Sequence, residues 1–74
     1  MELTSIFIVV AIRTDGEEHP FPRPVRLPSG NFYRFANRWH AFEMAERMTN
    51  AAQLAGIDTE YGIQLGSDVV RGSA

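Results

Sequence analysis

The chain contains no cysteine and no lysine. Without thiols it forms neither disulfides nor thiolate metal sites, which fits a reducing compartment. Without lysine, all seven basic residues are arginine. That choice reads either as a trace of genome composition or as a demand for planar, bidentate guanidinium groups in binding. Long hydrophobic runs are also missing. The longest, "IFIVVAI" at 6–12, is far too short to span a bilayer. It lacks the basic leader and small-residue cleavage site of a signal peptide. The expectation is a soluble, cytoplasmic protein with no membrane partner. No G-x-G-x-x-G, phosphate-binding loop, nucleophile elbow or paired-carboxylate constellation occurs, so neither an enzymatic activity nor a cofactor is expected. With 74 residues the chain makes one small domain, which buries only roughly 60% of its unfolded surface.

Four prolines stand out in "EEHPFPRPVRLP", residues 17–28: Pro20, Pro22, Pro24 and Pro28, all at even positions. The preceding "LTSIFIVVAIR" at 3–13 is rich in Ile, Val and Phe and reads as a strand. Asp15–Gly16 supplies the two-residue turn that hairpins favour. A tight closure pairs Thr14 with Glu17, Ile12 with His19, Val10 with Phe21, Ile8 with Arg23 and Ile6 with Val25. Pro20, Pro22 and Pro24 then occupy non-hydrogen-bonded positions, where a missing N–H would have pointed outward. The second strand is therefore expected at the sheet edge, which its prolines protect from stray pairing. The alternative is an extended polyproline-like loop.

One clear helix follows, with Asn37 as N-cap and Gly56 just beyond its end. At about 100° per residue, Ala41, Phe42, Met44, Ala45, Met48, Ala51, Ala52 and Ala55 share one face. Glu43, Glu46, Arg47, Asn50 and Gln53 share the other. Residues 31–35 read as a short strand or extended lead-in. In 59–66, Tyr61, Ile63 and Leu65 alternate with Gly62 and Gln64, the pattern of a half-buried strand. The expected fold is α+β: a small antiparallel sheet, β-β-α-β in order 2-1-3, with room for one extra short strand and a single helix on one face. Residues 1–67 form the domain and 68–74 a flexible tail.

The first strand is apolar on both sides. If the helix covers Ile6, Ile8, Val10, Ile12, Phe21 and Val25, the odd residues Phe7, Val9 and Ala11 are left with Pro20, Pro22 and Pro24 in an open patch. One-sided sheets normally alternate apolar and polar residues. Phe7, Val9, Ala11, Pro22 and Pro24 are thus a candidate self-association face, and a homodimer is expected. The alternative is that residues 31–35 or the tail fold over the patch.

Between His19 and Phe42 lie Arg23, Arg26, Arg34 and Arg38 and no acid, although the whole chain carries a formal charge of −2. Trp39 falls on the polar side of the helix, where sheet packing does not explain it; it reads either as an exposed anchor or as packed against the proline-rich strand or the lead-in at 29–36. Tyr33, Arg34, Arg38 and Trp39 together are the candidate partner-binding residues, since Trp and Arg are favoured interface anchors. The same stretch resembles in kind a surface that stacks unpaired bases. His40, Glu43 and Glu46 share a helix face but lack further ligands, so no metal site is expected. The leading reading is a non-enzymatic protein-interaction module that self-associates and binds another macromolecule. Small domains of this size and style occur among phage and mobile-element inhibitors of host machines, anti-CRISPR proteins included. The alternative is a nucleic-acid-binding module using residues 33–42.

Overall fold

The computed structural model describes residues 6–66 and 68–71. The elements are β1 (Phe7–Thr14), β2 (Glu17–Pro24), β3 (Arg34–Phe35), α1 (Arg38–Leu54), β4 (Glu60–Leu65) and β5 (Asp68–Arg71). The sheet runs β2-β1-β4-β5, every pair antiparallel, and β3 pairs with β1 on the same edge as β2. The fold is α+β with β1 and β4 central and a single helix. Residues 68–71, expected in a tail, instead pair with β4 as an edge strand; residues 72–74 lie outside the described residues.

The hairpin starts as its sequence dictates and then departs from it. Asp15 (φ 49°) and Gly16 (φ 82°) both adopt positive φ, and Thr14 faces Glu17 and Arg13 faces Glu18. Beyond that the register jumps: Ala11 faces Arg23 and Val10 faces Pro24. His19, Pro20, Phe21 and Pro22 therefore stand against Ile12 alone, as a wide bulge. The pairs Ile12–His19, Val10–Phe21, Ile8–Arg23 and Ile6–Val25 do not form. Phe21, assigned to the core in the regular register, is 84% exposed at the bulge. Two prolines within four residues remove the ladder bonds that would have held the regular register. Pro24 nevertheless obeys the parity rule. Val25 N–H donates to Val9 O at 3.0 Å, so the adjoining Val10–Pro24 pair is non-bonded and the proline nitrogen faces outward.

Pro28 serves a different turn. Leu27–Gly30 closes with Gly30 N–H donating to Leu27 O at 2.8 Å, and Leu27 N–H to Asn31 O at 2.7 Å. Proline at the second position and glycine with φ 92° at the fourth suit a type I turn followed by a one-residue bulge. The turn brings Phe32 back beside Arg26. It then lays β3 along the first half of β1, with Phe7 facing Phe35 and Ile8 facing Arg34.

This detour decides which face is the core. Tyr33 and Phe35 join Phe7, Val25, Phe42, Met44, Met48 and Tyr61 around a centre of Val9, Ala41, Ala45 and Ile63. The helix thus covers the odd residues of β1, and the assignment of Phe7, Val9 and Ala11 to an open face is corrected. Val9 is 0% exposed, Phe7 packs on it, and Ala11 is half-buried opposite Tyr61. Ala41 and Ala45 allow the close approach that encloses Val9 and Ile63. Pro24 lies on the other face with Val10, and Pro22 in the bulge, so the five residues make no common patch. The even face closes by another route. β1 bulges at Ile12 against β4, opposite the bulge of β2, which bends the strand and curls the sheet. Val10 and Ile12 are both buried there.

The helix ends follow the sequence. Asn37 Oδ1 accepts from the backbone N–H of Trp39 at 2.8 Å and of His40 at 3.3 Å. At the other end Ile57 N–H donates to Ala52 O and Gly56 N–H to Gln53 O, with Gly56 at φ 75°, a Schellman closure. The buried stripe is shifted from the expected one: Ala41, Ala45 and Thr49 are buried, while Ala51 and Ala55 are exposed. Thr49 earns its place by polar contacts. Its Oγ1 donates to Ala45 O at 2.9 Å and accepts from Tyr61 N–H at 3.0 Å, tying α1 to β4.

Candidate functional site

The antiparallel order divides the molecule, 45 Å in its longest dimension, into two ends. One holds the Asp15–Gly16 turn and the start of β4. The other holds the start of β1, β3, the N-terminus of α1, the end of β4 and the start of β5.

The first end is an ion-pair cluster. Glu60, facing Arg13 across the ladder, has a side chain only 6% exposed. It accepts from Arg13 Nη1 at 3.2 Å and from Arg71 Nη1 at 2.5 Å. Arg13 Nε also donates to Asp58 Oδ1 at 2.9 Å, and Glu18 lies 3.6 Å from Arg13 and 3.8 Å from Arg71. Partial loss of solvation opposes the Arg13 cation, but the charges of Asp58, Glu60 and Glu18 outweigh it and raise its pKa above the ordinary value. The turn itself is anchored: Gly16 N–H donates to Asp58 O at 2.8 Å and Asp15 N–H to Thr59 Oγ1 at 3.1 Å. Both arginines here are answered by Glu18, Asp58 and Glu60, so this cluster is structural.

The second end has cations without answering acids. Among the described residues, the side chains of Arg23, Arg34 and Arg38 make no hydrogen bond or ion pair with another residue. Arg26 packs its guanidinium 4.4 Å from the Phe32 ring centre and donates to Gly30 O at 2.9 Å, which stiffens the loop. Arg38 opens α1, where the helix dipole already presents positive charge, and the first turn holds no acid. Trp39 beside it is 74% exposed.

The four partner-binding candidates share this end but not one face. Arg34 faces Ile8 in the ladder while its neighbours Tyr33 and Phe35 join the core. Strand alternation therefore sends Arg34 to the sheet face away from the helix, and Arg38 and Trp39 belong to the helix side. Tyr33 is half-buried and contributes mainly to packing.

Two concave surfaces adjoin these residues. A groove of about 360 Å3 is lined by Phe7, Ile63, Leu65 and Val70 with Arg38 and Asp68. Another of about 560 Å3 is lined by Leu27, Asn31, Phe32, Tyr33, Arg34 and Phe35. The first escaped the sequence reading because β5 was not foreseen; the two β-branched valines of "DVVR" shortly after Gly66 were the available signal. Among the described residues no group of three or more His, Asp or Glu side chains could hold a metal ion. No helix among them is long and apolar enough to cross a membrane. Compared with family models, curated proteins and solved structures, the chain matches none of them. Chemically, the arrangement offers charge pairing, aromatic contact and shallow apolar seating.

Proposed function

We propose that this protein is a non-enzymatic interaction module that recognises an acidic surface of another protein through its arginine end. The observation behind this reading is the set of exposed arginines without acid partners, set beside an exposed tryptophan at the start of α1. Arginine and tryptophan are the residue types most enriched among interface anchors. Placing Arg38 at a helix N-terminus works against folding, which makes sense where an anionic partner supplies the missing charge. The cysteine-free composition supports a cytoplasmic setting.

The alternative partner is single-stranded nucleic acid, favoured by the acid-free run of arginines and by the stacking surface of Trp39. One experiment separates the two. The immobilised chain should retain an acidic protein from a cell lysate, release it as salt rises, and lose it on Arg34→Glu or Trp39→Ala. Retention unchanged in both variants would refute the reading. Retardation of an oligothymidylate probe at low salt, abolished by Arg34→Glu and falling steeply with added salt, would replace it with the nucleic-acid one.

A further inference from the structure

The sheet has two edges, and only one is defended. β2 carries Pro20, Pro22 and Pro24 and a four-residue bulge, devices that stop another strand from pairing. β5 has no proline, and its register with β4 runs without a shift through Leu65–Asp68, Gln64–Val69, Ile63–Val70 and Gly62–Arg71. Val9 turns its N–H and C=O toward Tyr33 and Val25, so Ile63 opposite it turns its own toward Val70, and bonded pairs alternate with non-bonded ones. Val69 and Arg71 therefore direct their N–H and C=O groups away from β4, along an edge that no other described strand pairs with.

The side chains on this edge differ in what they lack. Val69 and Val70 are 38% and 37% exposed. Val70 lies on the helix side and lines the groove with Phe7, Ile63 and Leu65. Arg71 is already paired with Glu60 and Glu18. Asp68 has no partner among the described residues. A strand added here meets, in turn, a satisfied cation, two apolar positions and an unanswered acid.

We propose that β5 is a docking edge for an extended segment of another protein, added antiparallel, whose residues read apolar-apolar-basic from N to C. The first apolar side chain faces Val70 and reaches into the groove, the second faces Val69, and the basic residue faces Asp68. A second copy of this chain fits less well, for a geometric reason. A two-fold axis joining two identical edge strands keeps the same sheet face uppermost, so facing residues must be an even number of positions apart. Asp68 and Arg71 are three apart and can never face each other in such a dimer, which leaves Asp68 without a base opposite.

The probe is the peptide acetyl-Ser-Thr-Ile-Val-Lys-Thr-amide, titrated into the 15N-labelled full chain. Saturable shifts are expected at the amides of Val69, Val70 and Arg71, with slowed exchange at Val69 and Arg71. Replacing the peptide's lysine by glutamate should weaken binding about two- to fivefold, and Asp68→Lys in the protein should reverse that preference. Val69→Pro removes only an outward N–H, so β5 stays paired with β4 while binding falls about tenfold or more. The proposal is overturned by the absence of saturable shifts up to millimolar peptide, or by shifts confined to the arginine end. Binding indifferent to Val69→Pro also overturns it, as does a peptide-free doubling of mass that Val69→Pro abolishes, which makes a second copy the occupant.

Discussion

At the turn end, three carboxylates (Glu18, Asp58, Glu60) hold two arginines, and Glu60 sinks between Arg13 and Arg71 as their shared acceptor. At the helix-start end, Arg26, Arg34 and Arg38 meet a single carboxylate, Asp68, and none of them forms an ion pair with it among the described residues. The same residue types thus do opposite things. Arginine at one end fastens β1 to β4 and β5; at the other, Arg34 and Arg38 are held in solvent by elements that fold without their charge. Burial decides the difference. A carboxylate as enclosed as Glu60 must be paired or its desolvation goes uncompensated, whereas a solvated guanidinium contributes little to stability in either state.

The sharpest way to break this comparison is to strain the turn end. A Cβ built on Gly62 would lie 2.5 Å from Val70 O and 2.7 Å from Ile12 Cδ1. The first is backbone of β5 and cannot yield without moving the strand. Gly62→Ala is expected to cost about 2–3 kcal/mol, toward the upper part of the overpacking range. In a domain this small that lowers Tm by roughly 10–20 °C. A melting curve unchanged within a few degrees would mean that β5 is not seated on β4 as described.

Glu60→Gln comes next. It keeps the volume but removes the charge shared by Arg13 and Arg71, and hydrogen bonds to charged groups are the stronger kind. A loss of about 1.5–2 kcal/mol is expected in urea unfolding at neutral pH, largely insensitive to added salt because the carboxylate is enclosed. An effect as small as that of an exposed pair such as Glu43–Arg47 would erase the distinction between the two ends.

What the sequence made legible follows the same division between local and distant causes. The Asp15–Gly16 turn, the Asn37 cap, the Gly56 exit and the alternation of Tyr61 and Ile63 each depend on residues a few positions apart, and each is where the pattern puts it. The order with β1 central was legible from the connections, since β2, the helix and the next strand make a crossover that lays that strand beside β1. The register beyond Ile12 was not, because prolines withhold the bonds that make register definite. The choice of face was not, because β1 offers apolar residues both ways and the deciding partners, Tyr33 and Phe35, arrive only after the Leu27–Gly30 turn. The place of Trp39 on the polar side of the helix was legible from helical phase, but its exposure was not, because packing against the proline-rich strand or the lead-in was an equally open outcome. The separation of Arg34 from Arg38 and Trp39 was not, since it follows from a two-residue strand whose partner is β1.

Arg38→Glu has the smallest expected effect on stability and is the most informative in sign. Arg38 opens α1 with no acid in the first turn, so the helix dipole meets a charge of its own sign. Replacing it with a carboxylate should stabilise the fold by about 0.5–1 kcal/mol, visible as a small rise in Tm that fades at high salt. The same substitution removes a cation from the rim of the groove lined by Phe7, Ile63, Leu65 and Val70, and should weaken capture of an acidic partner. Gain of stability with loss of binding is the signature of a residue retained for recognition at some expense to the fold. A fall in Tm would instead make Arg38 a structural cation like Arg13, and the two ends would then differ only in how deeply their charges are set.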